Sequence, residues 1–409
     1  MKFGVNDKNR KPHLIMKKII FLLLALSYLT VSNTTAQVCP QTDFPSYYYC
    51  SDILEFVAEY PECSKLPSSL RLPYDGGDLT NYPALLELDS IDGNIICNEC
   101  EITSFAGLAN LTYVSGGVHI DEPHSDLVNL QGLNNLYYIG GILSLSECSD
   151  LISTIGLGDL TYLGGLSITE SNVLVDLIGF ENIESLIHGL AIDEAISLED
   201  LQGFESLNYI GGNLVIRDND SMSSLEGLNS LKTIVGDLKI DDNPILLELN
   251  ALSNLNSLNG SIYCQGNNAL QSLEGLAAIT GLNGLIKIRY NESLESLSGL
   301  ENIDANSILD LTLSNCVSLN YCSLDNFCQY LTENIGPSSI NTNNIGCNSE
   351  IEVTNICQDI SVNLIETVFP EPKLIRMINV FGQDQQLHRN GMLLFYVYDN
   401  GEVEKRMIH

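Results

Sequence analysis

A Gly-apolar pair recurs along the middle of the chain: Gly107-Leu108, Gly132-Leu133, Gly156-Leu157, Gly179-Phe180, Gly203-Phe204, Gly227-Leu228, Gly275-Leu276 and Gly299-Leu300. The steps are 25, 24, 23, 24, 24, 48 and 24 residues, and Ala251-Leu252 fills the double step. A short fixed period means supersecondary units that cannot bury their apolar faces alone and must stack. The sequence therefore predicts a solenoid, with a long surface in place of a single deep pocket.

One repeat, Leu201 to Asn219, shows how. Leu214-Val215-Ile216 alternates in-out-in, as a short strand with one buried face does. Equivalent triplets are Val118-His119-Ile120, Leu143-Ser144-Leu145, Leu166-Ser167-Ile168, Leu190-Ala191-Ile192, Leu238-Lys239-Ile240, Ile262-Tyr263-Cys264 and Ile286-Lys287-Ile288. Stacked coil on coil they form one parallel sheet. Gly211-Gly212 ahead of the strand predicts a tight turn with positive φ. Three residues past each strand's last apolar position comes a column of Cys100, Pro123, Cys148, Ser171, Ala195, Asn219, Asn243, Asn267, Asn291 and Cys316. Asparagine there can bond inward to turn amides, and cysteine can replace it as a small buried group. The rest of each repeat lacks an amphipathic helix and reads as irregular or short extended segments.

The pattern L-x-G-L-x-x-L-x-x-I-x-G-x-L-x-I-x-x-N resembles the receptor L-domain and leucine-rich-repeat family, as found in exported proteins of Bacteroidetes-type bacteria. The resemblance covers roughly residues 85–320, and Pro123, Ser171 and Ala195 depart from its asparagine. It implies a mainly β fold, a right-handed β-solenoid with one parallel sheet along the repeats. It also implies binding, adhesion or an ectodomain role, because the family shares no enzyme activity.

The flanks differ from the repeats. Lys17-Lys18, the apolar run Ile19 to Leu26 and Thr34-Thr35-Ala36 read as a signal peptide over 1–36, with Met16 a more usual start than Met1. The apolar run is too short for a membrane span. The chain carries 52 acidic and 18 basic residues, a net charge of −34. Without residues 1–36 there are 51 and 12, a net of −39. Such a balance argues against nucleic acid as a partner, since phosphate binding needs clustered Lys and Arg. Twelve cysteines in an exported chain point to disulfides. Cys39, Cys50 and Cys63 fall in an N-terminal cap, 37–84. Cys322, Cys328, Cys347 and Cys357 fall in a C-terminal cap, 320–368, and the solenoid occupies 85–319. The alternative is a metal site, but the only CxxC, Cys97 to Cys100, lies inside the first repeat.

Residues 369–409 are a different kind of sequence, with two strand-like runs around Phe381-Gly382, Asn390-Gly391 and Asn400-Gly401. Lys373, Arg376, Arg389, Lys405 and Arg406 are five of the 12 basic residues outside 1–36. The V-F-G-Q segment ending at Gln383, the N-G-x-x-x-x-Y-V-Y-D-N-G segment from Asn390 and the terminal basic pair resemble the C-terminal sorting domain of the type IX secretion system. That resemblance implies contact with the type IX machinery and delivery to the outside of a Gram-negative cell.

Chemistry-bearing groups are few. No GxSxG, HExxH, phosphate-binding glycine loop or EF-hand occurs, and His119 stands outward on a strand without a nucleophile at recognisable spacing. Non-catalytic function is the expectation, with no cofactor required. Two columns remain. Two residues past each strand stand Glu99, Glu122, Glu147, Glu170, Glu194, Asp218 and Asp242. Neighbouring coils about 4.8 Å apart would line these carboxylates up. Either Ca²⁺ bridges them, most plausibly at Glu147, Glu170, Glu194, Asp218 and Asp242, or they form a solvated acidic edge, which is the simpler reading. The array's basic residues all lie between Arg217 and Arg289. The expected ligand-binding strip is therefore Arg217, Lys239, Tyr263, Lys287 and Arg289, for an extracellular protein or glycan. The alternative function is a surface-layer or matrix spacer that acts by self-association.

Overall fold

A computed structural model describes residues 46–74, 78–124, 126–358, 374–379, 383–384, 393–398, 401 and 403–407. The expected signal peptide, Cys39 and most of 359–392 lie outside the described residues. The chain divides into two compact units, Met1–Ile245 and Leu246–His409, and each is mainly β.

In the first unit nine strands stack in parallel: Tyr47–Tyr49, Ser69–Arg71, Ile95–Asn98, Val118–Asp121, Tyr138–Ser146, Tyr162–Thr169, Gly189–Asp193, Asn213–Arg217 and Leu238–Asp241. The register keeps equivalent residues abreast. Ile168, Ile192, Ile216 and Ile240 form one inward column, and each is almost wholly buried. In the second unit Ile262–Gln265, Gly284–Arg289, Ile308–Ser314 and Ser338–Asn341 stack the same way. Strands thus occur in both cysteine-bearing flanks as well as in the repeats. The other side of each coil is built from short strands and single 3₁₀ turns such as Glu274–Leu276.

The Gly-apolar pair has two structural causes. Gly132, Gly156, Gly179, Gly203, Gly227 and Gly299 hold φ between 103° and 124°, a region closed to other residues. They also lie against the preceding coil, so that a Cβ on Gly227 would stand 1.8 Å from the Leu201 carbonyl oxygen. Ala251 sits in a 3₁₀ turn, Asn250–Leu252, without positive φ, which is how that coil accepts alanine.

The Gly-Gly pairs depart from expectation. Gly211 and Gly212 do not have positive φ. Their Cβ atoms would meet the Ile187 and His188 carbonyl oxygens at 2.6 and 2.2 Å. Close approach between coils requires them, and the tight left-handed turn falls elsewhere. It falls on the acidic column: Glu99, Glu122, Glu147, Glu170, Glu194, Asp218 and Asp242 all have φ between 48° and 55°. Gly266, Tyr290, Asn315 and Thr342 take the corner farther along, at 68°, 56°, 59° and 58°.

The asparagine column forms the expected ladder. Asn219 Oδ1 accepts from the Ala195 N–H at 3.0 Å, and its Nδ2 donates to the Ile192 carbonyl at 3.2 Å. Asn243 Nδ2 donates to the Ile216 carbonyl at 3.0 Å. In the second unit Asn291 accepts from the Asn267 N–H and donates to the Cys264 carbonyl, at 3.0 and 2.9 Å. Asn343 adds a rung that the 24-residue spacing does not predict, accepting from Cys316 N–H at 3.0 Å from 27 residues away. Ser171 and Cys148 keep only the donor half, to the Leu145 and Ile120 carbonyls at 3.4 and 3.8 Å.

Disulfides join Cys322 to Cys347 and Cys328 to Cys357 in the C-terminal flank, and Cys97 to Cys100 within a coil. Cys63 is disulfide-bonded as well. Cys50 departs from the expected staple: it is a buried thiol donating to the Arg71 carbonyl, pushed up to about 12 first by burial. The C-terminal segment folds into three antiparallel strands instead of two, Leu374–Asn379, Leu393–Tyr398 and Val403–Met407. The third follows the turn at Gly401, whose φ is 87°.

Candidate ligand-binding face

Side chains alternate across a strand, so every second residue of each coil's strand stands outward, and the register aligns these residues in rows. The main outward row of the first unit runs Ile96, His119, Ser144, Ser167, Ala191, Val215 and Lys239. Its early part is small and flat, as the sequence suggests. His119 stands beside Ser144, and burial lowers its pKa below the ordinary imidazole value. Among the described residues, no hydrogen bond joins it to a nucleophile.

The neighbouring outward row places Asp193, Arg217 and Asp241 abreast. Arg217 is consumed by its own coil stack. Its Nε donates to Asp193 Oδ1 at 2.9 Å, its Nη2 pairs with Asp193 Oδ2, and Asp218 Oδ2 lies 3.3 Å from Nε. The bond to Asp193 is the main reason the guanidinium pKa rises. Lys239 pairs with Asp237, two residues back on the same face, at 3.3 Å. Both cations in the first unit's half of the strip are thus answered by carboxylates.

The second unit is built differently. Tyr263 and Lys287 are cross-strand neighbours, as are Gln265 and Arg289. Lys287 Nζ lies 5.9 Å from the centre of the Tyr263 ring, and the Arg289 guanidinium 5.2 Å from that of Tyr290. Among the described residues, neither cation forms a salt bridge. Arg289 Nε is the one buried side-chain nitrogen or oxygen among them that lacks a hydrogen-bond partner. The five strip residues therefore fall two in one unit and three in the other, with opposite electrostatic surroundings.

The acidic column runs down the first unit's corners. Each backbone N–H bonds the next coil: Glu122 to Ser146, Glu147 to Thr169 and Glu170 to Asp193, at 2.9 to 3.0 Å. Like charges are thereby held one above another. Glu122 first, then Glu170, raises the Glu147 pKa above the ordinary carboxylate value. Asp218 is raised first by burial and then by Asp242. Asp193, Glu194 and Asp218 bring three carboxylate oxygens within 4.8 Å of one another. Arg217 already sits among them and supplies the positive charge that a cation would bring.

No family model matches this chain, and no curated protein matches it. A leucine-rich-repeat protein of Leptospira interrogans is similar among solved structures, at 14% identity and a TM-score of 0.26. The match covers 70% of this chain and 97% of that one. The fold assignment rests on the strand register above, not on this likeness.

Proposed function

We propose that this chain is an exported, non-catalytic binding or adhesion protein that presents the outward face of its stacked strands. The observation that carries the reading is the set of ordered side-chain rows, one residue per coil, over a buried apolar interior. Such a surface recognises by position along the array. The disulfides support an oxidising, extracellular location. No helix among the described residues is long and apolar enough to cross a membrane. The strip Arg217, Lys239, Tyr263, Lys287 and Arg289 is the proposed contact region for an extracellular protein or glycan.

Delivery is proposed to run through the type IX machinery, read from the C-terminal motifs, of which Tyr396-Val397-Tyr398 and Lys405-Arg406 lie in the three-stranded sheet. Mass spectrometry of the mature protein's C-terminus tests this, and loss of residues beyond about Phe369 is expected. An intact C-terminus on exported material would contradict it. The binding role is tested by reversing Lys239 and Lys287 to Glu. Capture of the partner should be abolished, and undiminished capture would refute the strip.

A further inference from the structure

We infer that the second unit's sheet face around Lys287 and Arg289 binds a polyanionic polysaccharide, one whose sugar rings carry carboxylate or sulfate groups. The inference rests on the binding-scaffold reading and narrows it to one unit and one ligand class.

Among the described residues Arg71, Lys232, Arg376 and Lys405 also form no salt bridge, but Lys287 and Arg289 stand together on one strand, two residues apart on its outward face. Each is held against an aromatic face, Lys287 at Tyr263 and Arg289 at Tyr290. An aromatic face attracts a cation without cancelling its charge, so both groups keep their capacity for an oxyanion. Arg289 has five N–H donors, and the protein leaves even its buried Nε unpaired. The contrast with Arg217 is direct: there Asp193 occupies the guanidinium on two sides. Negative charge farther off is screened beyond about 8–10 Å at physiological salt, and the nearer Asp310, diagonal to Lys287 across the strand pair, accepts from the Thr312 hydroxyl.

The surroundings favour a sugar polymer over a peptide. Gly284–Arg289 is hydrogen-bonded on both sides, to Ile262–Gln265 and to Ile308–Ser314. No main-chain edge is open for a peptide to add as a strand. What the face offers is side chains: Gln265 abreast of Arg289, and Thr312 abreast of Lys287. The Thr312 hydroxyl donates to Asp310 at 3.0 Å and keeps lone pairs for a ligand hydroxyl. Tyr290, 49% exposed, adds apolar surface suited to a ring.

The test titrates the full chain with polygalacturonate, dextran sulfate, neutral dextran and poly-glutamate. Wild type should bind at least one of the two charged polysaccharides and not neutral dextran, and the stronger of the two identifies carboxylate or sulfate as the group read. Lys287→Ala with Arg289→Ala should weaken that binding about tenfold or more. Lys65→Ala, which removes a cation outside the strip that is already paired with Asp92, should change it less than about twofold. A Lys287→Gln, Arg289→Gln pair with an unchanged thermal melt guards against loss by misfolding. The inference is overturned if neither charged polysaccharide binds, if the Lys287 and Arg289 variants bind as wild type does, or if poly-glutamate binds as well as the polysaccharides. If polysaccharides fail while the Lys239 and Lys287 reversal still abolishes partner capture, the scaffold reading stands and only the ligand class falls. If both fail, the scaffold reading falls too.

Discussion

Along the strip the two units handle charge in opposite ways, although outside it Arg71 of the first unit is also set against a tyrosine, Tyr47, without a salt bridge. The first answers Arg217 with Asp193 and Asp218, and Lys239 with Asp237. The second sets Lys287 and Arg289 against tyrosine rings and gives them no carboxylate. A cation whose donors are taken by its own protein contributes to packing. One that is positioned but unanswered is available to a ligand. Proximity in sequence made the five residues look like one strip; pairing separates them.

The difference can be broken from the first unit's side. Its polar groups are closed internally, and Asn219 is the centre of that closure. Asn219→Ala would leave the buried Ala195 N–H without an acceptor, at a cost of about 2–3 kcal/mol. Ser171→Ala, which removes only a donor, should cost less than half as much in the same denaturant titration. Equal losses would mean that the ladder does not distinguish early coils from late ones. A smaller effect is expected from Asp193→Asn, which removes the carboxylate that occupies Arg217. If unpaired cations bind polyanions, this variant should gain affinity about threefold, roughly 0.6 kcal/mol. No gain would mean that pairing is not what silences the first unit.

The smallest effect concerns the corner. The Glu147 pKa is raised in the fold by Glu122 and then by Glu170. A raised carboxyl binds its proton more tightly folded than unfolded, so stability is highest at low pH and falls as pH rises through the folded value. Asparagine suits a φ of 50° and carries no charge. Glu147→Asn should therefore raise the melting midpoint at pH 7 by about 1–2 °C, with a smaller gain near pH 4. A lowered midpoint would mean that Glu147 is held by a favourable contact. The solvated-edge reading of the column also expects EDTA to leave the wild-type melt unchanged, whereas a drop would point to bridging calcium.

Much of this was legible in the sequence because every coil repeats the same physical problem. The strand triplets, the inward apolar columns and the asparagine ladder recur in register, so one repeat reads for all. The left-handed corner was not legible, because glycine and asparagine are the usual marks of positive φ and this chain places Glu or Asp there in seven coils. The Gly-Gly pairs then drew the expectation to the wrong position, although their task is to let coils approach. Asn343 was hidden by its 27-residue step from Cys316. The pairing of Arg217 did leave a signal: Asp193 lies one repeat earlier at the same position, which in a parallel stack means abreast. Lys239 and Asp237 are likewise two apart on one strand face. The lack of partners for Lys287 and Arg289 needs coordinates, since several acidic residues lie close to them in sequence.

Hydrogen exchange on the purified full chain, with and without the charged polysaccharide that binds best, tests the central claim most directly. Protection is predicted over Ile262–Gln265 and Gly284–Arg289, with the outward strands Tyr138–Ser146 through Leu238–Asp241 unchanged. Protection confined to the first unit, or no protection at a saturating concentration, would contradict the assignment of the binding face to the second unit.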